Sequence, residues 1–309
     1  MKTQESFIIA PVVQHALQEK RPIVALETAV VTHGLPRPVN HELAIHMEAK
    51  VREEGAIPAT IGVVEGNVYV GLSKKQIDFL ANTDDLMKIS HRDFAPAHAF
   101  QKSGGTTVAG SIIMSHLAGI KVFATGGIGG VHRGSHFDIS TDLIELSRRP
   151  VVVVCAGAKA ILDLPATVEY LETMGVSVVG YQTDEFPAFF TRESGLPVSV
   201  RANSPEEVWE IAQAHWSLGL TSAILVVVPP PVDSALDAKQ VEGAINQALQ
   251  EVNERGIQGQ SVTPYLLRRV SEITGKASLR ANIELLLNNA SVASRIACAF
   301  KPKIQTVEI

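Results

Sequence analysis

Two residues stand where an apolar run gives out and chemistry can begin. Lys159 follows Val151-Val152-Val153-Val154-Cys155 by way of Ala156, Gly157 and Ala158. Four consecutive valines predict a strand buried on both faces, because β-branched side chains suit a covered pleat. The small residues after it allow a tight turn. In an open α/β sheet, the carboxyl end of a strand opens on the crevice where ligands bind. A lysine held there against apolar walls loses hydration, its pKa falls, and its free amine can attack a carbonyl carbon. The plainer alternative is a solvated lysine at a helix start. Glu27 likewise ends the apolar run Pro22 to Leu26. Burial at that point raises a carboxyl pKa and keeps a proton in place for general acid work. Its plainer role is an ion pair or cap at a strand exit.

Between these two lies Phe123-Ala124-Thr125-Gly126-Gly127-Ile128-Gly129-Gly130-Val131-His132-Arg133-Gly134. Its five glycines in nine residues argue for close approach of the backbone to a ligand, or for an anion nest, rather than for packing. The spacing fails the dinucleotide pattern G-x-G-x-x-G opening a helix. Downstream, Asp138 and Asp142 offer hard carboxylate oxygens suited to Mg²⁺ or Mn²⁺ rather than zinc. Alternatively, the pair serves a helix start, with Ser140 or Thr141 capping a helix through Leu143, Ile144 and Leu146. Lys88, in Met87-Lys88-Ile89-Ser90, ends a short apolar strand and could meet a sugar phosphate. Thr106, Thr107, His132 and Asn289 are weaker candidates, since Thr and His routinely satisfy buried backbone groups. His33 lines the same mouth or merely packs; Met47 and Met114 read as core.

The elements that must position these residues alternate between short β-rich runs and amphipathic helices. Ile23 to Leu26, Ala59 to Val64, Val122 to Thr125, Val151 to Cys155, Val176 to Tyr181 and Ala223 to Val228 read as strands. Asn40 caps a helix presenting Leu43, Met47 and Val51, stopping at Gly55. Pro165 fits the first turn of a helix ending at Gly175. Ser204-Pro205-Glu206-Glu207 reads as a capping box for a helix closing at Gly219. Asp237 to Gly256 presents Val241, Ile245, Leu249 and Val252 at helical spacing, and helices through Leu266 and Leu286 finish the chain. Pro229-Pro230-Pro231 is a rigid strand exit near the site. With no repeat or low-complexity linker, the expectation is one domain over residues 1–309: α/β, three-layer α/β/α, with a central mixed, largely parallel sheet.

Taken together, these motifs resemble the pseudouridine-5′-phosphate glycosidase (indigoidine synthase A-like) family. The similarity rests on Phe123 to Lys159, on Val24-Ala25-Leu26-Glu27-Thr28 with Thr32-His33-Gly34-Leu35-Pro36, and on Gly55-Ala56-Ile57-Pro58-Ala59-Thr60. It extends through Val70-Gly71-Leu72-Ser73, Thr106-Thr107-Val108, Gly180-Tyr181-Gln182-Thr183 and Phe186-Pro187-Ala188-Phe189-Phe190. Thr263-Pro264-Tyr265-Leu266-Leu267 and Asn288-Asn289-Ala290 complete it, so that it spans about Pro22 to Phe300. The resemblance implies reversible cleavage of pseudouridine 5′-phosphate to uracil and ribose 5-phosphate, an activity classed with the lyases. It matches the covalent nucleophile to Lys159 and the proton donor to Glu27. It matches the Mn²⁺ or Mg²⁺ position to Asp138 and substrate contacts to Lys88, Val108, Ser140, Thr141 and Asp142. It also implies a homotrimer. The segment between Arg133 and Phe137 is short for the family, so the loop over the metal position differs in shape.

The chemistry explains such residues. Sugar C1′ is joined to uracil C5, so no nitrogen or oxygen lone pair receives the departing electrons, and paired carboxylates of the O-glycosidase kind do not suffice. An amine adding at C1′ with ring opening splits one hard step into easier ones. Two other classes fit parts of the pattern: a Schiff-base lyase or aldolase on another phosphosugar, and a non-enzymatic sugar-phosphate sensor. The sensor would need neither Glu27 nor Lys159.

The bulk properties agree with a small-molecule enzyme. At 309 residues and 46% hydrophobic, the chain can bury a large core. A net charge of −5 excludes a general nucleic-acid binder, which needs a basic face. Cys155 and Cys298 form no disulfide framework and suit a reducing compartment. Met1 to Glu5 lacks a signal pattern and no apolar run nears membrane-spanning length, so a cytoplasmic location is expected.

Overall fold

The valine run forms one of the middle strands of an eleven-stranded sheet. The computed structural model describes residues 6–134, 138–257 and 262–300; Met1 to Glu5, on which the leader argument rested, lies outside them. The strands are β1 (Phe7–Ile9), β2 (Ile23–Leu26), β3 (Ile57–Val64), β4 (Asn67–Val70), β5 (Met87–Ile89), β6 (Gly104–Thr106) and β7 (Val122–Ala124). There follow β8 (Val131–His132), β9 (Val152–Cys155), β10 (Leu162–Asp163), β11 (Ser177–Tyr181), β12 (Val200–Ala202) and β13 (Ile224–Val227). The sheet order is β1-β4-β3-β2-β7-β9-β13-β11-β12, with β6 also on β3 and β5 on β6. From β3 through β2, β7, β9, β13 and β11 to β12 every pair is parallel. The β3–β4 and β3–β6 pairs are antiparallel. Strands β8 and β10 form a separate two-stranded ribbon.

This is the expected mixed, mostly parallel sheet with helices on both sides. The reason is legible in burial: β2, β9 and β13 are buried at every residue, and a strand covered on both faces has no polar face to alternate. All six predicted strands occur, each within two residues of its expected bounds. The helix Ala277–Ala299 lies across β2, β7 and β9, presenting Ala281, Leu285, Ala290 and Ala293 as buried residues. The helix Val108–Ala118 packs on β2 and β7 and is buried nearly throughout. Met47 and Met114 are core residues, as expected.

Local signals held with two exceptions. Ser204 caps Pro205–Ser217 through the Glu207 amide, but the Glu207 carboxylate accepts from Asn203, one residue earlier than a full box requires. Asn40 does not cap its helix, Val39–Glu53; it lies inside the first turn. Its amide donates to the Val31 and Ala81 carbonyls at 2.8 and 2.9 Å. A buried amide that can tie two distant loops is worth more there than at an exposed helix end. The predicted helices at Pro165, Asp237, Leu266 and Leu286 appear as Leu164–Thr173, Ala238–Arg255, Val262–Ile273 and Ala277–Ala299.

Candidate active site

Glu27 and Lys159 both stand at carboxyl ends of parallel strands that flank a third. Glu27 is the first residue after β2, and β7 separates β2 from β9. Beyond their last strand residues, β7 and β9 remain joined. Ile128 N donates to the Gly157 carbonyl and Lys159 N donates to the Ile128 carbonyl, both at 3.0 Å. The glycine run and the lysine turn are thus one structure. Gly157 is at φ +86°, and a Cβ there would stand 2.3 Å from the Pro187 carbonyl oxygen. Only glycine serves that turn.

The glycine run serves close internal packing, which was not expected, while Gly126, Gly127 and Gly129 also line the cavities over the strand ends. Gly126 to Gly130 are buried, and the groups that crowd them are the protein's own. A Cβ on Gly129 would lie 2.2 Å from Ser140 Oγ, and Gly127 and Gly130 are crowded in the same way by Phe189 and Thr167. The Gly129 amide donates to Asp142 Oδ2 at 2.7 Å and the Val131 amide to Thr167 Oγ1 at 3.0 Å. The glycines allow close internal packing.

A cleft of 350 Å³ opens over these strand ends, with Glu27, Lys88, Lys159, Thr107, Val108, His132, Asp138, Ser140, Thr141 and Asp142 in its walls. Every candidate residue except Thr106, Asn289 and His33 is therefore brought to one place. On the other side of Glu27, Lys88 and Lys159 lies a small chamber of 60 Å³ lined mainly by Ala29, Val30, Phe189, Leu267 and Leu286, with His33 and Asn282. It opens on a wide groove that shares His33, Lys88, Leu267 and Asn282 with it. The reactive pair thus sits between a polar half and an apolar half.

The Glu27 side chain is buried and accepts a hydrogen bond from the Thr125 hydroxyl. Burial holds its carboxyl above the ordinary range; Lys159 and the Thr125 bond oppose this, while Asp142 adds to the upward push. This is the environment expected of an acid that keeps its proton. Lys159 is half-buried rather than walled in. The Lys88 amine is held below its ordinary range, by burial first and then by the Lys159 charge. His33 is also pushed down by burial; its Nδ1 meets Thr32 Oγ1 at 2.6 Å and its Nε2 meets the Leu86 carbonyl at 3.0 Å. A carbonyl only accepts, so Nε2 carries hydrogen.

The two aspartates differ. Asp142 is buried, and its two oxygens accept from the Ala109 and Gly129 amides at 2.8 and 2.7 Å. It ties the start of the Val108–Ala118 helix to the glycine run. Asp138 is 53% exposed, 3.9 Å from His132 Nδ1. Among the described residues, no group of three or more His, Cys, Asp or Glu side chains is gathered to hold a metal. Zinc, which takes three or four protein ligands, finds no such set among the described residues. Mg²⁺ or Mn²⁺ fits, because such ions bind through one or two carboxylates and keep water or substrate oxygens for the rest. Residues 135–137, on which the expectation of a differently shaped loop rested, lie outside the described residues.

Ser140 caps Thr141–Leu146, and Thr141 Oγ1 meets Ser90 Oγ at 2.8 Å. Thr107 caps Val108–Ala118. Two weaker candidates move away from the cleft. Thr106 is fully buried and bonded to the Ile61 carbonyl. Asn289 is fully buried and donates to the Thr125 and Gly126 carbonyls at 2.9 and 3.3 Å. Pro229-Pro230-Pro231 leaves β13 as expected but lines none of the cleft. Residues not singled out beforehand also enter. Arg92 and Ser90 line the polar cleft; Asn282 and Phe189 line the chamber. Phe189 has φ +64°, a rare conformation for an aromatic residue, as expected where surroundings over-determine a functional wall. Only the Phe-Pro-Ala-Phe-Phe run hinted at it.

An open, largely parallel sheet with a buried acid and an amine beyond the ends of two strands that flank a third is the architecture of an α/β enzyme. The sequence model of the indigoidine synthase A-like proteins matches residues 12–299, and the chain belongs to that family. It is 50% identical to a pseudouridine-5′-phosphate glycosidase of Caldanaerobacter subterraneus, over 92% of this chain and 94% of that one. It is 50% identical to another from Solibacter usitatus, covering 94% and 97%. Among solved structures, the prealnumycin C-glycosynthase AlnA in complex with ribulose 5-phosphate superposes with a TM-score of 0.88 at 40% identity, covering 95% of this chain and 96% of that one. An indigoidine synthase A-like protein from Thermotoga maritima gives 0.88 at 34% identity, covering 96% and 98%. No helix among the described residues is long and apolar enough to cross a membrane.

Proposed function

We propose that this protein cleaves the C–C glycosidic bond of pseudouridine 5′-phosphate reversibly, giving uracil and ribose 5-phosphate. The observation that carries the reading is the placement of Glu27 and Lys159 together where a polar cleft meets an apolar chamber. The polar half, with Lys88, Thr107, Ser140 and Thr141, takes the ribose phosphate. The Val108 amide stands at a helix start, where backbone N–H groups favour an anion. The apolar half, with Asn282 and His33 as its polar members, takes the base.

The Lys159 amine adds to C1′ as the C1′–O4′ bond breaks, and the ring oxygen takes the Glu27 proton. The secondary ammonium so formed loses a proton to the Glu27 carboxylate, which passes it to uracil C5. The C1′–C5 electron pair then returns to the uracil ring while the nitrogen lone pair closes a C1′=N imine. Water hydrolyses the imine, releasing ribose 5-phosphate and the free lysine. Asp138 would hold Mn²⁺ or Mg²⁺, one per subunit, and the ion would supply positive charge to substrate oxygens. The enzyme acts as a homotrimer of single-domain subunits in the cytoplasm. A ligand sensor would have no use for a buried acid facing an amine.

The test is incubation with pseudouridine 5′-phosphate and Mn²⁺, followed by chromatography for free uracil. Pseudouridine lacking the phosphate is the control, since remote binding energy is used at the reacting centre. Ligand-dependent stabilisation without uracil release would sink the enzymatic reading.

A further inference from the structure

Asn289 and Thr125, neither of which reaches the cleft, form a buried chain that ends on the proposed acid. Both side chains are fully buried. Asn289, on the helix Ala277–Ala299, donates to the carbonyls of Thr125 and Gly126 where β7 ends. Its own Oδ1 has no hydrogen-bond partner. A buried amide oxygen without a partner is costly, so the position is held for what its NH₂ group does. The Thr125 N–H is fixed separately, donating to the Val154 carbonyl at 3.0 Å on β9. With backbone N–H and C=O both tied, the Thr125 hydroxyl has a fixed origin, and it donates to Glu27 Oε1.

We infer that Thr125, anchored by Asn289, is a positioning residue that keeps the Glu27 proton on Oε2. The chemistry follows from the donor count. A hydroxyl has one hydrogen, and here it is spent on Oε1. The carboxyl proton is then best carried by the other oxygen. Oε2–H becomes the group that gives its proton to the ring oxygen, and the resulting carboxylate keeps the Thr125 hydrogen bond. The inference rests on Glu27 being the acid. The charged groups facing Glu27 are Lys159 beyond β9, Asp142 on the helix Thr141–Leu146, and Lys88 on β5. His33 lines the same chamber. The Thr125 bond favours the ionised carboxyl, so losing it makes the acid weaker.

The experiment is the pH dependence of kcat and KM for uracil release in Thr125→Val, Thr125→Ser and Asn289→Leu. In Thr125→Val the alkaline limb of kcat should move up by about one pH unit, with KM changed less than about twofold. The plateau should fall several-fold, because the proton is no longer confined to one oxygen. Thr125→Ser should restore both limb and plateau. Asn289→Leu should shift the limb in the same direction by less, acting through a loosened Thr125. If Thr125→Val disturbs the fold, Thr125→Cys exchanges a strong donor for a weak one and carries the same test. An unmoved limb in a natively folded Val or Cys variant overturns the inference. Full turnover by Glu27→Gln would instead overturn the assignment of the acid, so the two failures are told apart.

Discussion

On the sheet wall of the cleft, Glu27 and Lys159 hang from the ends of buried parallel strands tied by backbone bonds to one another. On the loop wall, Asp138 stands 53% exposed beside a two-residue strand. Asp142, four residues on, faces the same cleft yet belongs with the sheet wall, because its oxygens bind two backbone amides. The contrast separates two ways of making a site. Where the reacting atoms must meet within tenths of an ångström, positions come from strands and saturated hydrogen bonds. Where a hydrated cation must come and go, one accessible carboxylate suffices.

The largest effect is expected on the sheet wall. Lys159→Ala should abolish uracil release with the circular dichroism spectrum unchanged. Borohydride added during turnover, or to enzyme with ribose 5-phosphate, should leave a sugar-phosphate adduct on the Lys159 peptide of the native protein and none in the variant. Lys88→Ala should weaken substrate binding and leave the label on Lys159. An adduct on Lys88 would exchange the two roles, and substantial turnover by Lys159→Ala would rule out the covalent path.

On the loop wall the effect should be smaller and confined to the metal. Chelation should stop uracil release and Mn²⁺ or Mg²⁺ restore it. Asp138→Ala should raise the Mn²⁺ concentration for half-maximal turnover by about tenfold or more, without lowering the melting temperature. Full activity of Asp138→Ala after exhaustive chelation would remove this residue from the reaction.

Asp142→Asn sharpens the comparison most gently. An amide can accept from one of the two backbone N–H groups but turns a donor toward the other. Stability should fall by about 2 kcal/mol, read as a lower denaturation midpoint, with metal affinity little changed. A variant of native stability that had lost its metal would place Asp142 on the loop wall after all.

Much of the sheet wall was legible in the sequence because buried parallel strands announce themselves. Val151 to Cys155 and Ile23 to Leu26 have no polar face to confuse the pattern, and a charged residue just beyond such a run is informative. Strand β6 was not legible. Its Gly104-Gly105-Thr106 has poor intrinsic strand preference and is held by β3 and β5. The glycine run was only half legible, because composition shows that the backbone is approached closely but not by what. Ser140, Phe189 and Thr167, the groups that approach it, come from other elements. Asn289 looked like a substrate contact for the same reason: an asparagine that holds a carbonyl and one that reads a base are the same letter. Asn282 and Arg92 reach the site from separate helices, and nothing local in their neighbourhoods marks them.

The Lys159 amide, bonded to the Ile128 carbonyl, has a consequence for how the proposed nucleophile tolerates change. Its backbone cannot slide, so the distance to the sugar is set by the four methylenes of the side chain alone. The register of two neighbouring strand ends therefore acts as a ruler. A one-residue insertion between Cys155 and Lys159 would leave every strand in its place and put the amine out of reach.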